Sequence, residues 1–274
     1  MRKFWRFIFY FFLILWGIIA ATPFWISLVY SLMPKEAIFN MPPKLFPNPF
    51  TLDNYKTVLF AFKDYFPKWL MNSFILSIFV AIFRTLFCAM GGYAFARLNF
   101  PLKNAIFSVI LFSMMIPGQV FIVPNYIILS KLRLVNQLPG VVLPSLVTVF
   151  GIFFMRQFFK SIPKELEESA FIDGANRWQI LFKIVLPVSI PGLSALALLN
   201  FQGTWNEFMW PLIVLQTPEK FTLPLGLSWF KNEYYSLYSY VLAGSIFNAL
   251  PIVILFFLFQ RYIMKSIAFT GIMG

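Results

Sequence analysis

Long apolar runs separated by short polar segments make up most of the hydrophobic pattern of this chain. Each run reaches or exceeds the roughly 20 residues that a helix needs to cross a bilayer. Five of the runs lack charged residues, and a sixth, 69–96, contains only Arg84; the uncharged runs are 7–34, 104–130, 134–155, 184–206 and 234–260. We therefore predict an all-α, polytopic membrane protein with six transmembrane helices, in one domain, 1–274, without a soluble part. The expected spans are approximately 7–33, 69–96, 104–129, 140–159, 190–215 and 241–264.

Two of these spans carry residues that shape helix packing. The second span contains Gly91 and Gly92, whose missing side chains let helix backbones approach closely. The third span contains Pro117-Gly118-Gln119, which would break the helix and expose backbone polar groups. At membrane depth such groups are tolerated only against protein or a wet cavity, so we expect a break of this kind to face the protein interior.

The segment from Ser161 to Pro187 is the longest polar interruption in the second half of the chain, and it holds four of the ten acidic residues. Ser161 is a candidate N-cap, and Gly174 is where a first helix would stop. Asn176 would then cap a second helix. The pattern predicts two short helices, bent about a glycine, that lie outside the membrane.

The second helix of this segment has an apolar face, and two environments could cover it. Helical spacing places four residues on one face: Trp178, Leu181, Phe182 and Val185. The helix pair could lie in the lipid headgroup layer, or it could sit in a socket of another protein. Helices at the lipid surface favour Lys and Arg because that surface is anionic, whereas the first helix here is acidic. The charge therefore favours a protein socket.

The composition restricts the class of protein. Hydrophobic residues make up 60% of the chain and charged residues only 12%, far from the usage of a soluble domain. The net charge is +12, but nearly all of the 22 Lys and Arg flank the spans, which indicates membrane orientation rather than nucleic-acid binding. We expect a multi-pass membrane protein with both termini in the cytoplasm.

The same composition restricts the chemistry. The chain has no histidine and a single cysteine, Cys88, which excludes metal sites of the Cys and His kind and His-based triads. No lysine directly follows a glycine, so a Walker A loop is excluded as well. We expect no cofactor, no metal and no enzymatic activity. Energy for any transport must come from a partner ATPase or from an ion gradient.

The expected fifth span carries the candidate residues of a translocation pathway: Asn200, Gln202, Asn206 and Glu207. A carboxylate within a span is costly and usually faces a bundle interior or a pathway. The alternative is a structural role for Glu207, in a buried pair or near the outer interface. Given sufficient helix tilt, Arg84 could pair with it directly. Ion-driven carriers usually contain acidic or histidine relays, so these two charges favour an ATPase partner over an ion-coupled carrier or channel.

The spacing within the polar segment resembles a known motif. Glu168-Ser169-Ala170, three residues, Gly174, nine residues and then Ile184-x-Leu186-Pro187 is similar to the EAA loop of bacterial ABC importer membrane subunits. Ser169 stands where that pattern usually has alanine. The resemblance implies that residues 160–188, hereafter the 160–188 loop, form a cytoplasmic helix-turn-helix seated in a separate ATPase subunit. The coupling residues it implies are Glu167, Glu168, Ser169, Ala170, Asp173, Gly174, Ile184, Leu186 and Pro187, with Glu168 as a polar contact and Gly174 as an uncrowded hinge.

A second resemblance concerns the last third of the chain. TWNEFMWPLIVL and FTLPLGL are similar to segments of the maltose-type second permease of carbohydrate ABC importers, although the tail Ile272-Met273-Gly274 departs from the usual Lys-Gly ending. The resemblance implies import of an oligosaccharide or polyol across a bacterial or archaeal plasma membrane. It also implies a homologous sister permease, two ATP-hydrolysing subunits and an extracytoplasmic binding protein that meets residues 218–235. A membrane scaffold without transport is a weaker alternative, because the fifth span is polar.

Overall fold

A computed structural model describes residues 2–40, 42–61, 64–233 and 238–271, and over these ranges the chain is helical without a strand. The all-α prediction is therefore confirmed for the described residues. The α-helices are α1 Arg2–Ser31, α2 Lys35–Ile38, α3 Asp53–Lys56, α4 Phe66–Arg97, α5 Lys103–Ser113, α6 Ile122–Lys131, α7 Leu138–Val142, α8 Val149–Lys160, α9 Glu165–Ile172, α10 Arg177–Ile180, α11 Leu186–Val188, α12 Ile190–Trp205, α13 Met209–Val214, α14 Leu223–Glu233 and α15 Tyr238–Gly271. Short 3₁₀ turns lie at Gly118–Phe121, Leu143–Ser145 and Pro218–Lys220, and π-helical turns at Thr57–Ala61 and Leu181–Val185.

The described helices provide three to six membrane spans. Three continuous segments are long and apolar enough to cross a bilayer: Phe4–Ser31, Phe66–Arg97 and Tyr238–Gln260. Three further helix pairs pass the same test as bent units: Lys103–Ser113 with Gly118–Lys131 at 93°, Leu138–Ser145 with Val149–Lys160 at 50°, and Arg177–Val188 with Ile190–Trp205 at 80°. The chain is thus a membrane protein, and the count of six spans stays a prediction.

The breaks have local causes. Pro117 lies between α5 and α6, where its missing N–H prevents a continuous ladder, so the predicted break of the third span is confirmed. Pro144 stands in the 3₁₀ turn between α7 and α8. In the expected fifth span, α12 ends at Trp205 and α13 begins at Met209, so that span is interrupted around Glu207.

The chain forms two compact units. The first comprises Met1–Pro67 and Leu225–Pro251. Its small core contains Val29, Met33 and Ala37. The buried Asn54 amide donates to the carbonyls of Ser31 and Met33 at 2.8 and 2.7 Å, which ties the segment after α1 to the end of that helix.

The second unit, Lys68–Pro224 and Ile252–Gly274, contains the larger core. Close helix contact is built from small residues: a Cβ at Gly92 would lie 2.7 Å from Met155 Cβ, and one at Gly151 would lie 2.5 Å from Cys88 Sγ. At each glycine, the backbone of one helix therefore lies against a side chain of the other, and the space between α4 and α8 cannot hold an added methyl group. This confirms the close approach predicted from the glycines of the second span.

Candidate functional site

Helix α9 of the 160–188 loop begins at Glu165, three residues later than the predicted N-cap at Ser161 implies. Ser161 ends α8 instead of starting the next helix, since its backbone is helical and its hydroxyl donates to the Phe158 carbonyl at 2.7 Å. Pro163 then separates the two helices. The prediction of a Ser161 N-cap was wrong, because a serine at a helix C-terminus can bond backward to the preceding turn.

Gly174 ends α9 as predicted, with a φ of +83°. Its N–H donates to the Phe171 carbonyl at 3.0 Å, and the Ala175 N–H donates to the Ala170 carbonyl at 2.9 Å. This pair of bonds is a Schellman motif, which requires a left-handed residue and so favours glycine. A Cβ at position 174 would meet no atom of the chain within 4 Å. Within this chain, glycine is required by its backbone angle and not by crowding.

Asn176 begins the second helix, α10, as predicted. The Gln179 N–H donates to Asn176 Oδ1 at 2.9 Å, and the Asn176 N–H donates to Gln179 Oε1 at 2.8 Å. This reciprocal capping box satisfies two amide groups that a helix start leaves unpaired. The second arm of the 160–188 loop therefore has a fixed beginning directly after the turn at Gly174.

The two helices of the loop bury one side and expose the other. The inner residues Ala170, Ile180, Leu181 and Val185 belong to a core that also contains Tyr93 and Cys88 of α4, Met155 and Phe159 of α8, and Leu196 of α12. Ile184 and Leu186 are partly buried against the same core, while Pro187 is exposed. The inner side thus packs directly on the ends of three helices.

The outer side carries an exposed aromatic pair. Trp178 and Phe182 are 61% and 45% exposed, and their rings stack with centroids 6.1 Å apart. The prediction of one apolar face containing Trp178, Leu181, Phe182 and Val185 was wrong. Leu181 and Val185 turn inward onto the core while Trp178 and Phe182 stay outside, and the helix is π-helical over Leu181–Val185.

The acidic residues of the loop divide between the same two sides. Glu168 and Asp173 are exposed, and so are Ser169 and Glu165. Glu167 is buried: Arg97 Nε donates to its Oε1 at 2.6 Å, and the Tyr93 hydroxyl donates to its Oε2 at 3.1 Å. The sequence analysis missed Arg97 and Tyr93, because they lie about 70 residues earlier and no local pattern connects them to the loop.

A cavity of about 470 Å³ lies in the second unit, where three helix breaks meet. Its ionisable lining residues are Arg84 and Glu207. The polar and aromatic lining residues are Gln119, Asn125, Ser145, Thr148, Thr204 and Trp210, and the rest of the wall is Gly118, Ile122, Val141, Pro144, Gly203 and Met209. Its volume lies within the range of about 300–1,000 Å³ that is usual for ligand pockets.

The predicted pathway residues fall in different places. Glu207 lines the cavity and accepts from the Trp210 N–H at 3.2 Å. Asn200 does not line it; this residue is buried and donates to Thr85 Oγ1 at 2.9 Å, which ties α12 to α4. Gln202 and Asn206 are exposed and lie outside the cavity lining. Of the four candidates, the cavity contains Glu207 alone.

Arg84 and Glu207 face the same cavity, but they are not joined by an ion pair in the described part of the chain. Arg84 Nε donates instead to the Ser145 carbonyl, in the 3₁₀ turn between α7 and α8. The predicted direct pair was therefore wrong. The broken helix supplies an unpaired carbonyl that satisfies the arginine, and the carboxylate is left facing the cavity.

Comparisons with known proteins place the chain among transport components. Residues 89–268 match the family described as binding-protein-dependent transport system inner membrane component. The chain is 40% identical over 228 residues to the arabinooligosaccharides transport system permease protein AraQ of Halalkalibacterium halodurans, covering 83% of this chain and 81% of the relative. It is 31% identical to the diacetylchitobiose uptake system permease protein NgcG of Streptomyces coelicolor, with 93% and 85% covered. A crystal structure of a bacterial ABC transporter for the acidic polysaccharide alginate contains a chain of the same fold, with a TM-score of 0.83, 23% identity and coverage of 95% and 97%.

Proposed function

The chain belongs to the family of binding-protein-dependent transport system inner membrane components and is a permease subunit of an ABC importer, and we propose that it forms half of a carbohydrate pathway. The other half is a homologous sister permease. Two separate ATPase subunits drive the cycle, and an extracytoplasmic binding protein delivers the sugar. The observation that carries the proposal is the 160–188 loop, whose inner side packs on three helices and whose outer side is exposed.

The outer side of the loop has the chemistry of a protein docking surface. It combines the exposed carboxylates of Glu168 and Asp173 with the aromatic pair Trp178 and Phe182. Exposed apolar groups rimmed by charges are typical of interaction sites. Helix α9 carries three acidic residues and no basic one, which disfavours the alternative in which this helix lies on anionic lipid, since like charges repel. An ATPase subunit that grips this surface would pull on the helix ends beneath it.

The cavity around Glu207 fits part of a sugar pathway. Its two ionisable side chains have opposite charge, and amide, hydroxyl and indole groups surround them. This mixture of donors and acceptors suits a neutral, hydroxyl-rich molecule better than an anion. The names of two relatives state arabinooligosaccharides and diacetylchitobiose, which are neutral saccharides. We assign a neutral oligosaccharide as the substrate class.

The membrane arrangement follows from this function. Six spans place both termini and the 160–188 loop in the cytoplasm, where ATP is available. Residues 218–235 then lie on the outer side and meet the binding protein; positions 234 and 235 fall outside the described residues. Near the start of this region, the Asn136 side-chain oxygen accepts from the N–H groups of Gln216 and Thr217 at 3.0 and 3.2 Å, which gives the surface a fixed base.

The test is reconstitution of the complete transporter. The tagged chain is purified from membranes with its partners, placed in vesicles, and supplied with ATP inside, binding protein outside and labelled neutral oligosaccharides. We expect a P-loop ATPase to co-purify and uptake to require ATP hydrolysis. Uptake that persists without ATP and stops when ionophores collapse the ion gradients would refute the proposal in favour of an ion-coupled carrier.

A further inference from the structure

We propose that the buried Arg97–Glu167 pair is the joint through which movement of the 160–188 loop reaches helix α4. Glu167 and Arg97 would then be positioning residues, which act on the membrane helices without contacting an ATPase or the sugar. The inference rests on the proposed function, because it requires a partner subunit that moves the loop. It gives Glu167 a role inside this chain, whereas its exposed neighbour Glu168 belongs to the docking surface.

The orientation of the three carboxylates in the first turn of α9 is the first observation. Glu165 and Glu168 are exposed, whereas Glu167 points into the protein with about 6% of its side chain exposed. A carboxylate enters such a site only when charge and hydrogen bonds compensate its lost hydration. The inward position of Glu167 is therefore held by specific partners on the membrane helices.

Arg97 connects three elements with one guanidinium group. Its Nε donates to Glu167 Oε1 at 2.6 Å, and its Nη2 donates to the Ile162 carbonyl, directly after α8, also at 2.6 Å. The Tyr93 hydroxyl, one turn earlier on α4, donates to the second oxygen of the same carboxylate. Arginine presents its donors in a rigid planar fork, so one side chain holds both acceptors in a fixed geometry that the flexible stem of a lysine would not maintain.

The helix ends favour both charges. Arg97 is the last residue of α4, where the helix dipole stabilises a cation, and Glu167 lies in the first turn of α9, where the dipole stabilises an anion. The surrounding core residues Phe159, Ile162 and Ala170 are buried and keep water away from the pair. Salt therefore screens this interaction far less than an exposed one.

The other ion pairs of the described residues differ from this one. Lys35–Glu36 and Lys56–Asp53 have side chains that are between 65% and 78% exposed. Exposed pairs of that kind contribute little to stability and hold their helices together only weakly. The pair between Arg97 and Glu167 is buried and fixed at several points. When α9 is displaced, the end of α4 has to follow it, or the buried charges separate.

The experiment uses the whole reconstituted transporter and measures sugar molecules taken up per ATP hydrolysed. Glu167→Gln keeps the shape of the side chain but removes its charge. We expect the ATPase subunits still to co-purify and to hydrolyse ATP, while uptake per ATP falls about tenfold, within the usual range of coupling factors. The matched control, Glu165→Gln, removes an exposed carboxylate from the same turn and should leave the ratio unchanged.

A covalent replacement distinguishes a joint from a merely stabilising contact. Arg97→Cys combined with Glu167→Cys should be uncoupled until a short bifunctional thiol reagent links the two residues, and should then regain uptake per ATP. Both substitutions are made in a Cys88→Ala background, so that the introduced thiols are the only ones in this chain. This variant also decides the matter if Glu167→Gln fails to assemble.

Two results would overturn the inference alone: a Glu167→Gln transporter with an unchanged ratio, or a linked cysteine pair that stays uncoupled while the wild type imports sugar. A wild-type complex that shows no ATP-dependent uptake would refute the proposed function, and the joint with it.

Discussion

Gly151 of α8 lies directly against Cys88 of α4, so that a Cβ at position 151 would stand 2.5 Å from the sulfur and 2.9 Å from the cysteine Cβ. Cys88 is fully buried and its thiol points at the Thr148 carbonyl, 3.6 Å away. The two helices meet here without an intervening side chain. Along α4, this contact lies between Arg84, which lines the cavity, and Arg97, which holds the 160–188 loop. A change in the contact would therefore affect both regions.

Gly151→Ala is expected to destabilise the protein, because the added methyl group overlaps the sulfur and the helices have to separate. Overpacking of this kind typically costs about 1–3 kcal/mol. The measurement is the thermal unfolding temperature of the detergent-solubilised protein. Gly17→Ala is the control, since a Cβ there meets no atom of the chain within 4 Å. Equal melting temperatures for the two variants would contradict the contact.

Gly174→Ala is expected to weaken ATPase binding while membrane insertion stays intact. Alanine at a φ of +83° costs roughly 1–2 kcal/mol, so the loop would relax away from its Schellman turn. Gly174→Asn should lose less, because asparagine enters the left-handed region more readily. Co-purification of the ATPase and uptake per ATP report the effect. Normal uptake by the alanine variant would refute the requirement for a left-handed residue here.

Trp178→Ala is expected to reduce ATPase association without lowering the stability of the chain, because the indole is exposed and contributes little to the core. Ile180→Ala, two residues later, removes a fully buried side chain and should cost about 2–5 kcal/mol of stability. Thermal unfolding and quantitative co-purification of both variants separate the two effects. If Trp178→Ala destabilises the chain as much as Ile180→Ala, the outer side of the loop is part of the core and not a docking surface.

Asn200→Ala is expected to act on stability and Glu207→Gln on transport. Removal of the Asn200 amide leaves the buried Thr85 hydroxyl unpaired, which costs about 1–3 kcal/mol. Glu207 faces the cavity, so removal of its charge leaves Arg84 unbalanced and should lower the uptake of a neutral oligosaccharide severalfold without unfolding the protein. Uptake kinetics and melting temperatures of both variants test the assignment, and a transport defect in Asn200→Ala at full stability would reverse it.

Local signals predicted much of the architecture. The apolar runs marked the membrane segments, Pro117 marked a break, and Gly174 and Asn176 marked the turn of the loop, because each of these acts through its own backbone or its nearest neighbours. These features need no knowledge of which helices pack together.

Contacts between distant parts of the chain could not be predicted in the same way. Glu167 looked equivalent to Glu168 in the sequence, yet helix packing turned one inward onto Arg97 and left the other exposed. Asn200 looked like a pathway residue, but its partner Thr85 lies 115 positions away. Even within the loop, Leu181 is buried whereas Trp178, one turn earlier on the same helix, is exposed.

The meeting of three helix breaks at one cavity has a consequence for hydrogen exchange. Where a helix stops, its last carbonyls and the first amides of the next segment lose their ladder partners. Within a bilayer these groups need a protein partner, as the Ser145 carbonyl has in Arg84, or water in a cavity. Amide hydrogens around Pro117, Ser145 and Glu207 should therefore exchange with deuterium within the hydrocarbon layer, while those in the middle of α4 stay protected. We therefore expect the cavity to hold a small volume of solvent within the membrane, at the ends of the interrupted helices.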